Sequence, residues 1–211
     1  MDIKQIDPFR NLIYKTHVDI DLKKLTPRID SLVSSVDQSS FLEKGNAIST
    51  VATQDHPHRW HEMKNITNAV MSTANQMWND WKLSPCEFWV ENSWINIHNT
   101  GGETLEHNHG FTTIVATIYL HLPPDGGFIE FKDPLEYHWM GHPQLFPDTE
   151  NLWYEIPAVS GDIIMFPGWL RHRTQVNYSP EDRAVCTMNI SHQKHNVQFN
   201  QLMKHRQNGS I

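Results

Sequence analysis

The chain has 211 residues, with 38% in the hydrophobic set, 19% charged and a formal net charge of −7 at pH 7. That is enough chain for one full core, too apolar for a disordered segment, and too acidic for a protein whose main partner is a nucleic-acid backbone. No apolar run approaches the roughly 20 residues of a membrane span, and the start "MDIKQIDPFRNL" lacks the basic flank and apolar stretch of an export signal, so a cytoplasmic protein without a membrane partner is expected.

Residues 9–20 read as an edge strand. In residues 21–36, Leu22, Leu25, Ile29 and Leu32 recur at three to four residues, which is one face of a helix. Pro27 lies inside that pattern and is expected to break or kink it. Residues 58–82 repeat the spacing with Met63, Ile66, Val70, Ala74, Met77 and Trp81, and Ser84–Pro85 is the expected stop. From residue 86 the texture changes to short strands between turns. "CEFWVENSWINIHN" alternates apolar and polar residues, and "TTIVATIYLHL" is a nearly continuous β-branched run of the kind a buried strand shows. "FIEFKD", "LWYEIPAV", "IIMFPG" and "RAVCTMNISHQ" follow, separated by Gly, Pro and Asp. Seven or eight such strands predict an antiparallel sandwich or jelly roll, mainly β with supporting α, with the helices packed on one sheet. The reading is one domain over 1–211: a strand and helical layer in 1–85, a β core in 86–195, and a tail or helix in 196–211. Residues 133–152 have little periodicity, and a loop of that length in a compact domain is usually functional or mobile.

Fourteen histidines raise the prior on a metal site without locating it, because neutral imidazole is the commonest metal ligand. His107 and His109 are two apart at the entry to the β-branched run. In a strand such a pair shares one face and can meet one metal, and a surface decorated by chance has the same spacing. His172 follows a buried strand and a Pro-Gly bend. Arg183 lies eleven residues further on, at the start of the last strand, where a guanidinium could clamp a carboxylate near a metal.

The segments "HNHG", "TIYLHLPPDGGFIEFKDP" and "SGDIIMFPGWLRH", with the arginine after them, resemble the 2-oxoglutarate- and Fe(II)-dependent oxygenases. More narrowly they resemble an uncharacterised subfamily with an H-x-H motif, over about residues 88–192. The resemblance implies a double-stranded β-helix with Fe(II) inside one end. It makes His107 the first ligand and His172 the distal one. His109 stands where most of the superfamily has Asp or Glu, so the middle ligand is His109, or else Glu106, Glu103 or no carboxylate at all. Arg183 would pair with the far carboxylate of 2-oxoglutarate, with Tyr119 and His98 near the same cosubstrate. O₂ is the co-reactant, and hydroxylation of a small-molecule or peptidyl substrate is the implied outcome.

Other residues have plainer readings. His138, Trp139, His142 and Trp153, in or beside the long loop, either cover the site mouth and touch substrate or pack the loop down. His56, His58 and His61 read as solvated loop and helix start. Cys186 reads as core, and Cys86 with it as a free thiol. Two rivals stand beside the oxygenase: a three-His, cupin-type iron dioxygenase without 2-oxoglutarate, and a jelly-roll binding module with no catalytic role.

Overall fold

A computed structural model describes residues 12–36, 40–134 and 152–192. In chain order the elements are β1 (Tyr14–His17), α1 (Leu22–Val33), β2 (Glu43–Lys44), β3 (Ala47–Ser49), α2 (Lys64–Asp80), β4 (Phe88–His98), β5 (Glu103–Thr104), β6 (Ile114–His121), β7 (Ile129–Lys132), β8 (Trp153–Ile156), β9 (Asp162–Pro167), β10 (His172–Thr174) and β11 (Arg183–His192). The expected tail, and most of the long loop with His138, Trp139 and His142, lie outside the described residues.

The β-branched run becomes the middle of the molecule. In β6 every residue from Ile114 to Leu120 is buried, because both faces of this strand are covered. The side-chain period of two sorts them: Ile114, Ala116, Ile118 and Leu120 join one core, and Val115 and Tyr119 join a second. β6 is the third strand of a six-stranded antiparallel sheet ordered β1-β9-β6-β11-β4-β3. The first core lies between this sheet and the helices, where Leu25, Ile29 and Leu32 of α1 and Ile66, Val70, Ala74 and Met77 of α2 are buried. The second core lies on the opposite face, against the three-stranded sheet β10-β7-β8. A pair, β2-β5, closes one end. The result is a jelly roll with a helical layer outside it, mainly β as expected.

Three local readings need correction. The helix does not break at Pro27; α1 runs through it. Pro27 is on the exposed side, where the carbonyl left without a donor can be hydrated, while Leu25, Ile29 and Leu32 hold the buried side. The second helix starts at Lys64 rather than near residue 58, after two 3₁₀ turns at Pro57–Arg59 and His61–Met63. It is not Ser84–Pro85 that ends it. Lys82 takes a left-handed φ of 51°, its N–H donates to the Asn79 carbonyl at 2.9 Å, and Leu83 N–H donates to the Trp78 carbonyl at 3.2 Å. That pair of bonds is a Schellman termination, formed here without glycine.

β1 confirms the edge strand, paired with β9 from Tyr14 opposite Met165 to His17 opposite Asp162. His56 and His58 are not simply solvated: their Nδ1 atoms bond the Ser93 carbonyl at 3.1 Å and the Ser93 hydroxyl at 2.8 Å. No helix among the described residues is long and apolar enough to cross a membrane.

Candidate metal centre

His107 and His172 are brought together by the main chain. Each donates its backbone N–H to the other's carbonyl, at 2.9 and 3.0 Å, forming an antiparallel bridge outside the named strand pairs. His109 is held beside them through its N–H to the Gly168 carbonyl at 2.8 Å, and its own carbonyl accepts from Thr112 N–H at 2.9 Å. The three rings have centroids 4.3 to 5.2 Å apart. One ring nitrogen of each lies within 4.8 Å of the other two, and among the described residues this is the one group of His, Cys, Asp or Glu with metal-binding geometry.

The hydrogen bonds decide which nitrogen faces inward. His107 Nδ1–H donates to the Leu105 carbonyl at 2.7 Å and His172 Nδ1–H to the Leu170 carbonyl at 2.8 Å, in each case two residues upstream. His109 Nδ1–H donates to Asn189 Oδ1 at 2.7 Å. With Nδ1 committed in all three, each Nε2 carries a free lone pair, the arrangement that orients metal-binding imidazoles. Burial makes protonation unfavourable: desolvation is the largest cause lowering the pKa of all three, that of His109 to about 4 and that of His172 well below the usual value. The site therefore offers three neutral donors at neutral pH. Trp94 stacks on His109 with centroids 5.8 Å apart, and Phe166 meets His172 edge-on at 4.7 Å, which keeps water from two sides.

Among the described residues no carboxylate joins the three rings. Glu106 turns away to Arg171 at 2.6 Å and Lys132 at 3.6 Å. Glu103 sits one residue from Thr104, which faces inward, so strand alternation turns Glu103 outward. A donor set of three neutral imidazoles suits Fe(II) among the borderline first-row metals. The space beside it suits a small polar ligand. It is a cavity of about 70 Å³, room for several waters, lined in part by Asn96, Thr117, Thr174 and Thr187. Asn96 Oδ1 on this wall is buried without a hydrogen-bond partner, so the wall carries polar capacity that the protein leaves unused.

Arg183 is fully buried at the start of β11. Its Nη1 donates to the carbonyls of Gly126, Gly127 and Gln175, at 2.6, 3.2 and 2.9 Å. Its Nη2 donates to Thr174 Oγ1 at 2.9 Å, and its Nε donates to His98 Nδ1 at 3.3 Å. His98 and Thr174 line the cavity and Arg183 stands behind them. Tyr119 is also behind the wall, in the second core, its hydroxyl accepting from Ile129 N–H at 2.8 Å; burial pushes its pKa up to about 12. Trp153 lies away from the cavity. It pairs with Lys132 and stacks over Arg173, 4.0 Å from guanidinium carbon to ring centroid, and Arg173 alternates with the inward-facing His172 and Thr174.

Sequence reasoning missed Asn189, Thr174 and Glu43. Asn189 has the same parity as Arg183 along β11, and Thr174 the same parity as His172, so a period-two reading could have found both. Glu43, on a two-residue strand, gives no periodic signal.

The family model described as "Putative 2OG-Fe(II) oxygenase" matches residues 92–189. The chain superposes on the non-heme alpha ketoglutarate dependent carbocyclase SnoK from nogalamycin biosynthesis with a TM-score of 0.60 and 13% identity, over 84% of this chain and 78% of that one. A Pseudomonas putida prolyl-4-hydroxylase gives 0.56 and 11%, over 86% and 92%. The viral collagen prolyl hydroxylase of Paramecium Bursaria Chlorella virus-1, in its 2OG complex, gives 0.56 and 13%, over 85% and 96%. At these identities the superpositions speak for a shared fold. No curated protein sequence matches the chain.

Proposed function

We propose that the chain is a 2OG-Fe(II) oxygenase, the family that residues 92–189 match, using Fe(II), 2-oxoglutarate and O₂ as a hydroxylase whose metal sits on His107, His109 and His172. The observation that carries the ligand assignment is the shared state of the three rings: buried, neutral, each with Nδ1 bonded and Nε2 free. When bound, the iron supplies oxidative decarboxylation of 2-oxoglutarate to succinate and CO₂, coupled to oxygen transfer to substrate.

The residues do the rest. The three imidazoles are pre-oriented, so binding costs little reorganisation. Three protein donors leave open coordination positions for the cosubstrate's keto-acid end and for O₂. The far carboxylate enters the end of the cavity backed by Arg183. Thr174 is the direct donor there: its Oγ1 already accepts from Thr104 N–H and Arg183 Nη2, both at 2.9 Å, so its own proton is left to give. His98 lines the same end, and Tyr119 acts through β7, whose main chain its hydroxyl holds. Ile129 and Val185 supply dry wall.

Hydroxylation is supported by the two prolyl hydroxylases among the structural relatives. A carbocyclase on the same fold shows that other outcomes are open to it. A small molecule or a peptidyl side chain is the substrate class that fits these relatives. The three-His set favours one second reading, a dioxygenase whose substrate itself chelates the iron. The test is turnover after anaerobic loading with Fe(II). Release of succinate from 2-oxoglutarate on exposure to O₂, abolished in His172→Ala, is the expected result. O₂ consumption without succinate would move the protein to the second reading.

A further inference from the structure

The cavity carries a carboxylate of its own. The Glu43 side chain is 3% exposed and lines the cavity. Its Oε2 accepts from Thr104 Oγ1 at 2.9 Å and from His98 Nε2 at 3.1 Å. His98 Nδ1 accepts from Arg183 Nε, so the ring is the Nε2–H tautomer, a neutral bridge with the arginine on one side and the glutamate on the other. Thr104 closes the circuit: its hydroxyl bonds His98 and Glu43, and its N–H donates to Thr174 Oγ1, which also accepts from Arg183.

The charge balance of this end follows. Arg183 brings one positive charge and Glu43 one negative charge, a single imidazole apart, and both are shielded from solvent. Glu43 is among the groups whose charge raises the pKa of Arg183, so the two buried charges are coupled across His98. An anion arriving beside Thr174 therefore meets a guanidinium that is already compensated. Its attraction is smaller than the arginine alone would give, and Glu43, being buried, is screened less than a surface charge would be.

We propose that Glu43 is a cosubstrate-selecting residue, a fixed carboxylate that opposes the second carboxylate of 2-oxoglutarate and sets how strongly the site prefers a dianionic 2-oxo acid to a monoanionic one. The inference rests on the cosubstrate orientation given above. Both kinds of acid reach the metal through the same keto-acid group. They differ only at the far end, so Glu43 acts on their ratio rather than on metal chelation.

The test is an anaerobic titration of the Fe(II)-loaded protein, following the visible absorption that appears when a 2-oxo acid chelates the iron. Two ligands are compared: 2-oxoglutarate, and 2-oxopentanoate, which has the same chain length and ends in a methyl group. In Glu43→Gln, which keeps an acceptor for Thr104 and His98, 2-oxoglutarate tightens about tenfold and 2-oxopentanoate stays within about twofold, the scale of one charge opposed in a partly buried site. Glu43→Asp keeps the charge and keeps the wild-type ratio. Thermal melts of the metal-free proteins show that both variants fold. If both acids shift together, or 2-oxoglutarate weakens in Glu43→Gln, Glu43 is a structural residue and the inference falls while the oxygenase reading stands. If the wild-type iron protein chelates neither acid, the oxygenase reading falls and this inference with it.

Discussion

His107 and His172 clasp one another through two backbone hydrogen bonds while their rings sit 4.3 Å apart. Positions 65 residues apart are thus locked by atoms that every amino acid except proline carries. Removing either ring leaves the clasp intact. His107→Ala and His172→Ala are therefore expected to fold, with far-UV spectra like the parent's, and to bind Fe(II) or Mn(II) at least roughly a hundredfold more weakly. Metal content after anaerobic reconstitution and dialysis reads this directly. Full metal occupancy in His172→Ala would show that the metal sits elsewhere.

Asn189 orients His109 as the two leucine carbonyls orient the other rings. The bond crosses from β11 at 2.7 Å and is the one side-chain bond of the three, so it alone can be deleted by mutation. Asn189→Leu leaves a buried Nδ1–H without an acceptor and frees the ring to turn. Metal affinity is expected to fall roughly 10- to 100-fold, as losses of outer-sphere partners usually cost. Asn189→Asp retains an acceptor and should hold affinity near the parent's. Competition against a chromophoric chelator measures both. An unchanged affinity in Asn189→Leu would mean that the stack with Trp94 suffices to hold the ring.

The parts of this structure that were legible in the sequence are those with a period. The strand alternation through 86–192 and the helical spacing of Ile66, Val70, Ala74 and Met77 report which side of an element is buried, and the fold follows from that. The three histidines were legible because a pair at spacing two and a histidine after a buried strand are both side-chain patterns. The surroundings of Arg183 were not. Its partners are mostly backbone carbonyls, which have no sequence signature, so an arginine buried against Gly126 and Gln175 looks the same as one waiting for a ligand. Lys82 was missed as a helix stop for a related reason: a left-handed lysine is chosen by tertiary packing, not by its own preference.

Gly168 tests how tightly the β9 turn grips His109. A Cβ added there would meet the Thr112 carbonyl oxygen at 2.1 Å and the His109 carbonyl oxygen at 2.9 Å, and both are main chain. Neither can swing aside, so the turn that carries the middle imidazole has to move. Gly168→Ala is expected to lose roughly 1–3 kcal/mol of stability and to weaken metal binding with it. Gly110→Ala is the control one residue beyond His109, since a Cβ there meets nothing within 4 Å. Equal urea midpoints for the two variants would contradict the close approach.

Acid should destabilise the metal-free protein well above the pH at which its carboxylates protonate. Burial is the leading cause holding the pKa of His58, His98, His107, His109 and His172 below the ordinary 6.5, with His58 and His109 at about 4. On unfolding these rings return to ordinary values. Between about pH 6.5 and about pH 4 the unfolded chain therefore binds more protons than the folded one, and stability rises with pH across that window. Above it both states are neutral at these positions and the curve is flat. Urea midpoints of the metal-free protein should change little from about pH 8 to 7 and fall steadily from about pH 6.5 to 4.5. Saturating metal should add stability most near neutral pH and lose its effect on acidification, because protons compete for the same Nε2 lone pairs. A midpoint that stayed level down to about pH 5 would mean that these rings titrate as they do in water, and so that the site is wet.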